Sequence, residues 1–180
     1  MPFLPTSILP FWVQPDAEPS APTRTKAGLG MFFAVCYAAG LYASQYAPSM
    51  AGEWGWYPKL VKPSWAPSPV WTGPVWMILY GCMAVAGWRV WRLGGFRLVP
   101  IAGIGFGIQL FLQAIWSTLF YGAQSTLAGF VDLVFLLALV ATLWFAFKSM
   151  DKLAGRLWLP YLLWTSYLTA VNGVIWWRND

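Results

Sequence analysis

The sequence has 180 residues, of which 59% are hydrophobic and only 9% are charged. A soluble globular domain carries roughly 25% charged residues, so this composition excludes an ordinary water-soluble domain and predicts a protein embedded in lipid. The net charge of +5 is scattered between apolar runs, which favours basic residues flanking a membrane over a nucleic-acid-binding surface. Because the sequence has no histidine, His-ligated haem and a Ser-His-Asp triad are excluded, and no metal site or required cofactor is expected.

In chain order, residues 1–26 come first and are predicted to form a flexible tail, because six prolines between Pro2 and Pro22 prevent a stable helix. Five apolar segments of 21 to 24 residues follow, each long enough to cross a bilayer as a modestly tilted helix. Helices are expected because lipid offers backbone groups no hydrogen-bond partner. The fold class predicted is an all-α integral membrane protein with five transmembrane helices, at about residues 27–47, 70–91, 98–121, 125–147 and 157–177.

The connections and the basic residues predict how the segments are arranged. Only residues 122–124 join the third and fourth segments, so these two must be antiparallel. Eight of the eleven Lys and Arg residues lie on the side of the tail, so the positive-inside rule places the tail in the cytoplasm. The other three, on the opposite side of the membrane, are Lys59, Lys62 and Arg178.

The long connection, residues 48–69, is dense in Trp, Pro and Gly and is here called the Trp/Pro loop. It carries Trp56, Tyr57 and Trp65. An interfacial aromatic belt is the common explanation for such residues. Prolines stiffen a loop and remove hydrogen-bond donors, however, so the composition favours a rigid lid over an apolar pocket inside the bundle.

Polar residues inside the segments are few and therefore informative. Gln109, Gln113, Trp116 and Phe120 recur at i, i+4, i+7 and i+11, which is one face of a helix. Their side chains either line a cavity or form hydrogen bonds between helices, and the pattern does not decide between the two.

Three further features of the segments are candidates for structural or functional roles. Asp132 is the only mid-span acid and has no basic residue at similar depth, so it is expected to be hydrogen-bonded or protonated. Asn172 shares a helical face with Trp164 and Leu168. Gly103 and Gly107 form a Gly-x-x-x-Gly pair, the spacing that lets two membrane helices touch, and they are the candidate dimer face.

Several sequence motifs, and the order in which they occur along the chain, resemble those of the translocator protein family, also called tryptophan-rich sensory protein or peripheral benzodiazepine receptor. The resemblance covers about residues 27–180. It rests on Trp56-Tyr57, Leu60, Lys62-Pro63-Ser64-Trp65, Pro67, Gly73-Pro74-Val75-Trp76, Leu79-Tyr80, Gln109-Leu110, Trp116-Ser117, Phe120-Tyr121-Gly122, Asp132, Pro160-Tyr161-Leu162, Trp164, Asn172, Trp176 and Asn179.

The resemblance implies a five-helix bundle, often dimeric, whose first loop caps a pocket. Family members bind porphyrins such as protoporphyrin IX and haem, and some bind cholesterol or benzodiazepine-type drugs. Some bacterial members promote light-dependent breakdown of porphyrins, for which Trp56 and Trp65 would be the reactive indoles here. Lys59 and Lys62 would meet the porphyrin propionates at the rim. By motif position, the pocket residues implied are Trp56, Tyr57, Trp65, Gln113, Trp116, Trp164 and Leu168.

The sequence departs from the family pattern at informative places. Gln113 stands where the family has Asn, and Leu168 replaces a small residue and narrows the pocket. Gly173 stands where the cholesterol-type pattern has Tyr, which argues against sterol binding.

The function expected is that of a porphyrin-binding receptor, sensor or carrier in a bacterial cell membrane or the mitochondrial outer membrane. The alternatives are a light-dependent porphyrin-degrading enzyme and a sterol-binding or regulatory membrane protein.

Overall fold

The structure, a computed structural model, describes residues 25–46, 55–93 and 100–180. These residues form helices and turns and no strand. The predicted tail lies outside them up to residue 24, and so do the first part of the Trp/Pro loop and the end of the basic turn after residue 93. In chain order the helices are α1 (Thr25–Ser44), α2 (Trp56–Lys59), α3 (Pro69–Arg92), α4 (Pro100–Ser117), α5 (Thr126–Met150) and α6 (Lys152–Asn179), and a π-helical turn (Thr118–Gly122) continues α4.

Four of the helices are long and apolar enough to cross a membrane: Lys26–Ser44 in α1, Val70–Arg92 in α3, Ala102–Gly122 in α4 with its π-turn, and Thr126–Met150 in α5. The chain is therefore an all-helical membrane protein. The last helix, α6, has 28 residues and is the longest of those described, but it is not among these four. The predicted count of five spanning helices stays a prediction.

Helix caps account for the largest difference from the predicted boundaries. The predicted fifth segment begins at residue 157, but α6 begins at Lys152. The carboxylate of Asp151 explains this early start, because its Oδ1 accepts hydrogen bonds from the backbone N–H groups of Leu153 at 2.7 Å and Ala154 at 3.0 Å. An acidic N-cap satisfies the donors that the first turn leaves unpaired.

In the core, α3 packs closely against α1 and α4. A Cβ atom at Gly87 would lie 2.7 Å from the ring of Phe106 and 2.9 Å from that of Phe32, so only glycine lets the two rings pack there. The ring of the fully buried Trp158 of α6 lies 5.8 Å from that of Phe106, and its indole N–H donates to the Val140 carbonyl of α5 at 3.1 Å. The core therefore lies between the helices.

The basic residues gather at the two ends of the bundle. At one end Arg89 of α3 forms an ion pair with Asp151, with 2.7 Å between its guanidinium nitrogen and Asp151 Oδ2. At the other end the guanidinium of Arg178 lies 3.5 Å from the Lys62 carbonyl. The end of α3 and the start of α6 thus lie on the same side, and the Trp/Pro loop and the end of α6 lie on the other.

Candidate functional site

The short helix α2 brings two loop aromatics against the end of α4. The ring of Trp56 lies 5.4 Å from that of Phe120, centre to centre, and the ring of Tyr57 lies 6.1 Å from it. Trp116, one turn earlier in α4, stacks on Phe120 at 5.6 Å with 10° between the ring planes. These four residues and Tyr121 form what is called here the aromatic cluster.

The π-turn explains how Tyr121 joins this cluster. In an α-helix, neighbouring residues point in different directions, but the wider turn from Thr118 to Gly122 leaves Phe120 and Tyr121 both buried, with 4.9 Å between their ring centres. Phe120 in turn needs Gly129, where a Cβ atom would lie 2.7 Å from its ring. The α-helical spacing of the sequence identifies Trp116 and Phe120 but misses Tyr121, because π-turns break that spacing.

A small cavity of about 20 Å³ lies beside the cluster. This volume holds one water molecule, whereas pockets for drug-sized ligands measure roughly 300 to 1,000 Å³. The cavity is therefore too small for a ligand of that size. Its walls include Tyr57, Trp116, Phe120 and Leu168, which were predicted to bind the ligand, and Asn172, which was predicted to be a structural polar residue. They also include five residues that were not predicted for the pocket: Pro67, Thr72, Tyr121, Val171 and Ile175.

Two buried polar atoms among the cavity-lining residues have no hydrogen-bond partner in the part of the chain that the structure describes: Trp116 Nε1 and Asn172 Oδ1. The other end of the Asn172 amide is occupied, since Nδ2 donates to the Leu168 carbonyl at 3.0 Å. Buried polar groups are nearly always paired, so these two atoms are exceptions among the residues around the cavity.

The two glutamines of α4 bond neighbouring helices. Gln113 Nε2 donates to the Tyr80 hydroxyl of α3 at 2.8 Å. The Tyr161 hydroxyl of α6 lies 2.8 Å from Gln109 Oε1 and 3.1 Å from Gln113 Oε1. Neither glutamine lines the small cavity. Of the two alternatives left open by their spacing, hydrogen bonding between helices is the one that the described contacts favour.

Trp65 and Trp164 lie in a second aromatic group, outside the cavity wall. Trp65 is 47% exposed and its ring lies 5.9 Å from that of Tyr167, whose hydroxyl also donates to the Trp65 carbonyl. Trp164 lies 5.4 Å from Tyr167 and 6.4 Å from Trp76. Neither indole lines the small cavity that Trp116 lines. That Trp65, Trp116 and Trp164 surround one ligand stays a prediction.

Lys62 and Lys59, the two lysines predicted at the rim of the pocket, differ in their contacts. The ammonium of Lys62 donates to three loop carbonyls, those of Tyr57 at 2.8 Å, Pro58 at 3.1 Å and Leu60 at 2.9 Å. It also lies 4.9 Å from the centre of the Tyr57 ring, and burial lowers the pKa of its amine. Lys62 thus closes the loop on itself. Lys59 keeps an exposed side chain at the loop surface.

Asp132 is buried in α5, and its Oδ2 has no hydrogen-bond partner among the described residues.

The face of α4 around Gly107 is open. Nothing within the described chain lies within 4 Å of a Cβ atom built at Gly107, and the neighbouring Ile104, Ile108 and Phe111 are exposed. The Gly107 face therefore points away from the bundle, while Gly103 is half-buried.

The described residues contain no group of three His, Cys, Asp or Glu side chains that could hold a metal ion.

Comparison with known proteins adds to this geometry. The sequence model of the TspO/MBR family matches residues 32–178. The chain is 38% identical to the tryptophan-rich protein TspO of Chlorobaculum tepidum over 148 residues, covering 82% of this chain and 92% of that protein. It is also 38% identical to the human translocator protein over 127 residues, covering 69% and 75%. With the CrtK protein of Rhodobacter capsulatus the identity is 31% over 151 residues, covering 83% and 91%.

Proposed function

Because the chain belongs to the TspO/MBR family, we propose that it is a membrane receptor or sensor that binds a porphyrin, such as protoporphyrin IX or haem, beneath the Trp/Pro loop. The observation that carries this proposal is the aromatic cluster beside the cavity. Flat aromatic ligands gain stacking energy in addition to area burial in such surroundings. The finer architecture belongs to the same proposal: α6 spans the membrane as a fifth helix, and the loop caps the pocket.

Porphyrin binding requires the pocket to open, because a cavity of about 20 Å³ cannot hold a macrocycle. The loop is the part able to move. Six of the described loop residues are exposed, namely Pro58, Lys59, Val61, Ser64, Trp65 and Ser68. Side-chain hydrogen bonds from Tyr167 and Asn179 hold the loop to α6. Opening would expose Trp56, Tyr57 and Trp116 to the ligand, and Lys59 would remain at the rim for a propionate.

The test is a fluorescence titration of the detergent-solubilised protein with protoporphyrin IX. Replacing Trp116 by Ala removes a stacking partner and apolar contact worth about 1 to 3 kcal/mol, so the dissociation constant should rise roughly 5- to 150-fold. Trp56→Ala should act in the same direction. Trp91→Ala is the control, because Trp91 contacts Phe32 and Gly28 away from the cavity.

Two further variants separate the parts of the proposal. Trp65 and Trp164 lie outside the closed cavity, so a loss of affinity for their Ala variants would mean that the open pocket extends to the second aromatic group. Equal losses at Trp116 and Trp91 would contradict a site at the aromatic cluster. Product analysis in light and in the dark, with Trp56 and Trp65 replaced by Phe, distinguishes binding from photochemical breakdown of the porphyrin.

We also propose that the protein forms a homodimer through the outward face of α4 that contains Gly103 and Gly107. Small residues let membrane helices approach closely. The open space above Gly107 and the exposed Ile104 and Phe111 beside it support this face as the contact.

A further inference from the structure

We infer that the start of α6 binds a phospholipid with an anionic headgroup. The phosphate of this lipid lies between Lys152 and Arg156, and one of its acyl chains follows the outward face of the same helix. The site is at the end of the bundle opposite to the Trp/Pro loop, so it is separate from the proposed porphyrin pocket. It rests on the proposed function only in that α6 must lie in the bilayer.

Lys152 and Arg156 supply the positive charge. They stand at i and i+4 on one face of α6, and both are exposed. Neither charged group has an ion-pair partner among the residues that the structure describes. The carboxylate of Asp151, the acid next to them in sequence, is occupied: its Oδ2 pairs with Arg89 at 2.7 Å, and its Oδ1 caps α6. An anion at the start of α6 therefore meets two cations that no described carboxylate neutralises.

The outward face of α6 changes from basic to apolar along the helix. The two basic residues are followed on the same face by Leu159 and Leu163, which are 37% and 61% exposed. The opposite face packs in the core, where Trp158 is fully buried. At the helical rise of about 1.5 Å per residue, Leu163 lies about 10 Å along the axis from Arg156. Cations followed by apolar side chains match a phospholipid, in which the charged headgroup precedes the acyl chain.

A third cation, Lys148 at the end of α5, lies beside the start of α6. A Cβ atom at Gly155 would lie 2.7 Å from Lys148 Cα, so the two helices touch there. Trp144 spans the same contact, since its indole N–H donates to the Gly155 carbonyl at 3.1 Å. The Lys148 ammonium lies 4.6 Å from the centre of the Trp144 ring, an attraction that holds it at this junction. Lys148 therefore adds positive charge near the phosphate site.

Apolar side chains among these cations favour a lipid over a soluble anion. Leu153, next to Lys152, is 44% exposed, and Phe145 in the last turns of α5 is 65% exposed. A free phosphate ion or a nucleic acid would leave both side chains in water, whereas a lipid covers them with its acyl chains. Basic clusters directly beyond a membrane-spanning helix are typical of sites for anionic lipids.

Native mass spectrometry of the detergent-solubilised full chain tests this inference. The probes are phosphatidylglycerol, which is anionic, and phosphatidylcholine, which is zwitterionic, with the same acyl chains. We expect phosphatidylglycerol to bind more tightly. Replacing Lys152 and Arg156 together by Gln should raise its dissociation constant about 30-fold and leave that of phosphatidylcholine nearly unchanged. Inorganic phosphate at the same concentration should not displace the lipid.

The control variant removes two cations from the same end of the bundle but from other helices. It combines Lys26→Gln in α1 with Arg92→Gln in α3, both at exposed positions, and should bind phosphatidylglycerol as the unmodified protein does. Lys152→Gln and Arg156→Gln alone should each raise the dissociation constant about fivefold. These single variants keep the test valid if the double variant does not fold, which circular dichroism checks.

Equal affinities of the unmodified protein for the two lipids would overturn the inference, and so would unchanged phosphatidylglycerol binding by the folded Gln variants. An equal loss in the Lys26 and Arg92 control would also overturn it, because the lipid would then respond to net charge alone. Displacement by inorganic phosphate would overturn the assignment to a lipid. Protoporphyrin IX titration of the unmodified protein is a separate measurement, so loss of the lipid preference with porphyrin binding intact leaves the proposed function standing. Lipid preference without porphyrin binding would contradict the proposed function alone.

Discussion

The side-chain amide of Asn179 pairs with the backbone of Val61 through two hydrogen bonds. The Val61 N–H donates to Asn179 Oδ1 at 2.8 Å, and Asn179 Nδ2 donates to the Val61 carbonyl at 3.0 Å. The same Nδ2 also donates to the Ile175 carbonyl at 2.7 Å. A residue at the end of α6 thus holds the Trp/Pro loop in the way that a neighbouring strand would, although the two lie 118 positions apart in sequence.

This pairing predicts that Asn179→Leu loosens the loop. Two hydrogen bonds to the loop are lost, each worth about 0.5 to 1.5 kcal/mol, so amide exchange at residues 55–65 should quicken roughly 5- to 150-fold. Hydrogen-exchange mass spectrometry measures this without any ligand. Ser166→Ala is the matched control, because among the described residues its hydroxyl donates to the Leu162 carbonyl of its own helix and not to the loop. Unchanged exchange in the Leu variant would show that other contacts hold the loop.

The Gln113 network predicts a loss of stability on Gln113→Leu. The substitution leaves the buried hydroxyls of Tyr80 and Tyr161 with fewer partners, and such bonds between membrane helices contribute about 0.6 to 1.7 kcal/mol. The free energy of unfolding is measured by titrating the protein with a denaturing detergent. Gln45→Leu, at an exposed position after α1, should change it little. A double-mutant cycle with Tyr161→Phe that showed no coupling would contradict the network.

The outward face of α4 predicts that Gly107→Leu separates a dimer into monomers. A leucine there would fill the space into which a second helix must approach, and within the described residues its Cβ atom would have no neighbour within 4 Å beyond its own helix backbone. Light scattering of the solubilised protein measures the mass. Gly73→Leu in α3 is the matched control, since a Cβ atom there also meets nothing within 4 Å. Dissociation by both variants, or by neither, would argue against the Gly107 face.

The Asp151 carboxylate predicts how stability changes in acid. Partial burial raises its pKa, but the hydrogen bonds from Arg89 and from the backbone N–H groups of Ala154 and Leu153, together with the charge of Arg89, outweigh burial and lower the pKa below its usual 3.8. Its contribution to stability is therefore fully present above the unfolded-state pKa and is lost as pH falls through the lower, folded-state pKa.

The measurement for Asp151 is the free energy of unfolding between about pH 6 and pH 3. The protein should lose stability towards the acid end of this range. Asp151→Asn keeps an N-cap side chain but removes the titrating charge, so its stability should fall less over the same range. Parallel curves for the two proteins would mean that other carboxyl groups cause the acid sensitivity.

Composition and apolar runs were sufficient to predict the all-helical membrane class, because a chain with so few charges can satisfy its backbone groups in lipid only by forming helices or a closed barrel. Residue spacing likewise placed Trp116 and Phe120 on one face, and the structure has them stacked. These features depend on short-range periodicity and on the solvent, both of which can be inferred from sequence.

Contacts between distant residues decided the rest. The π-turn that buries Tyr121 depends on how the end of α4 packs against α5, and no spacing in the sequence signals it. The Lys62 ammonium donates to three loop carbonyls, and the ring of Trp65 packs against that of Tyr167. Side-chain direction in an irregular loop follows from which partners the fold brings within reach. Only the tertiary structure could therefore show these loop contacts.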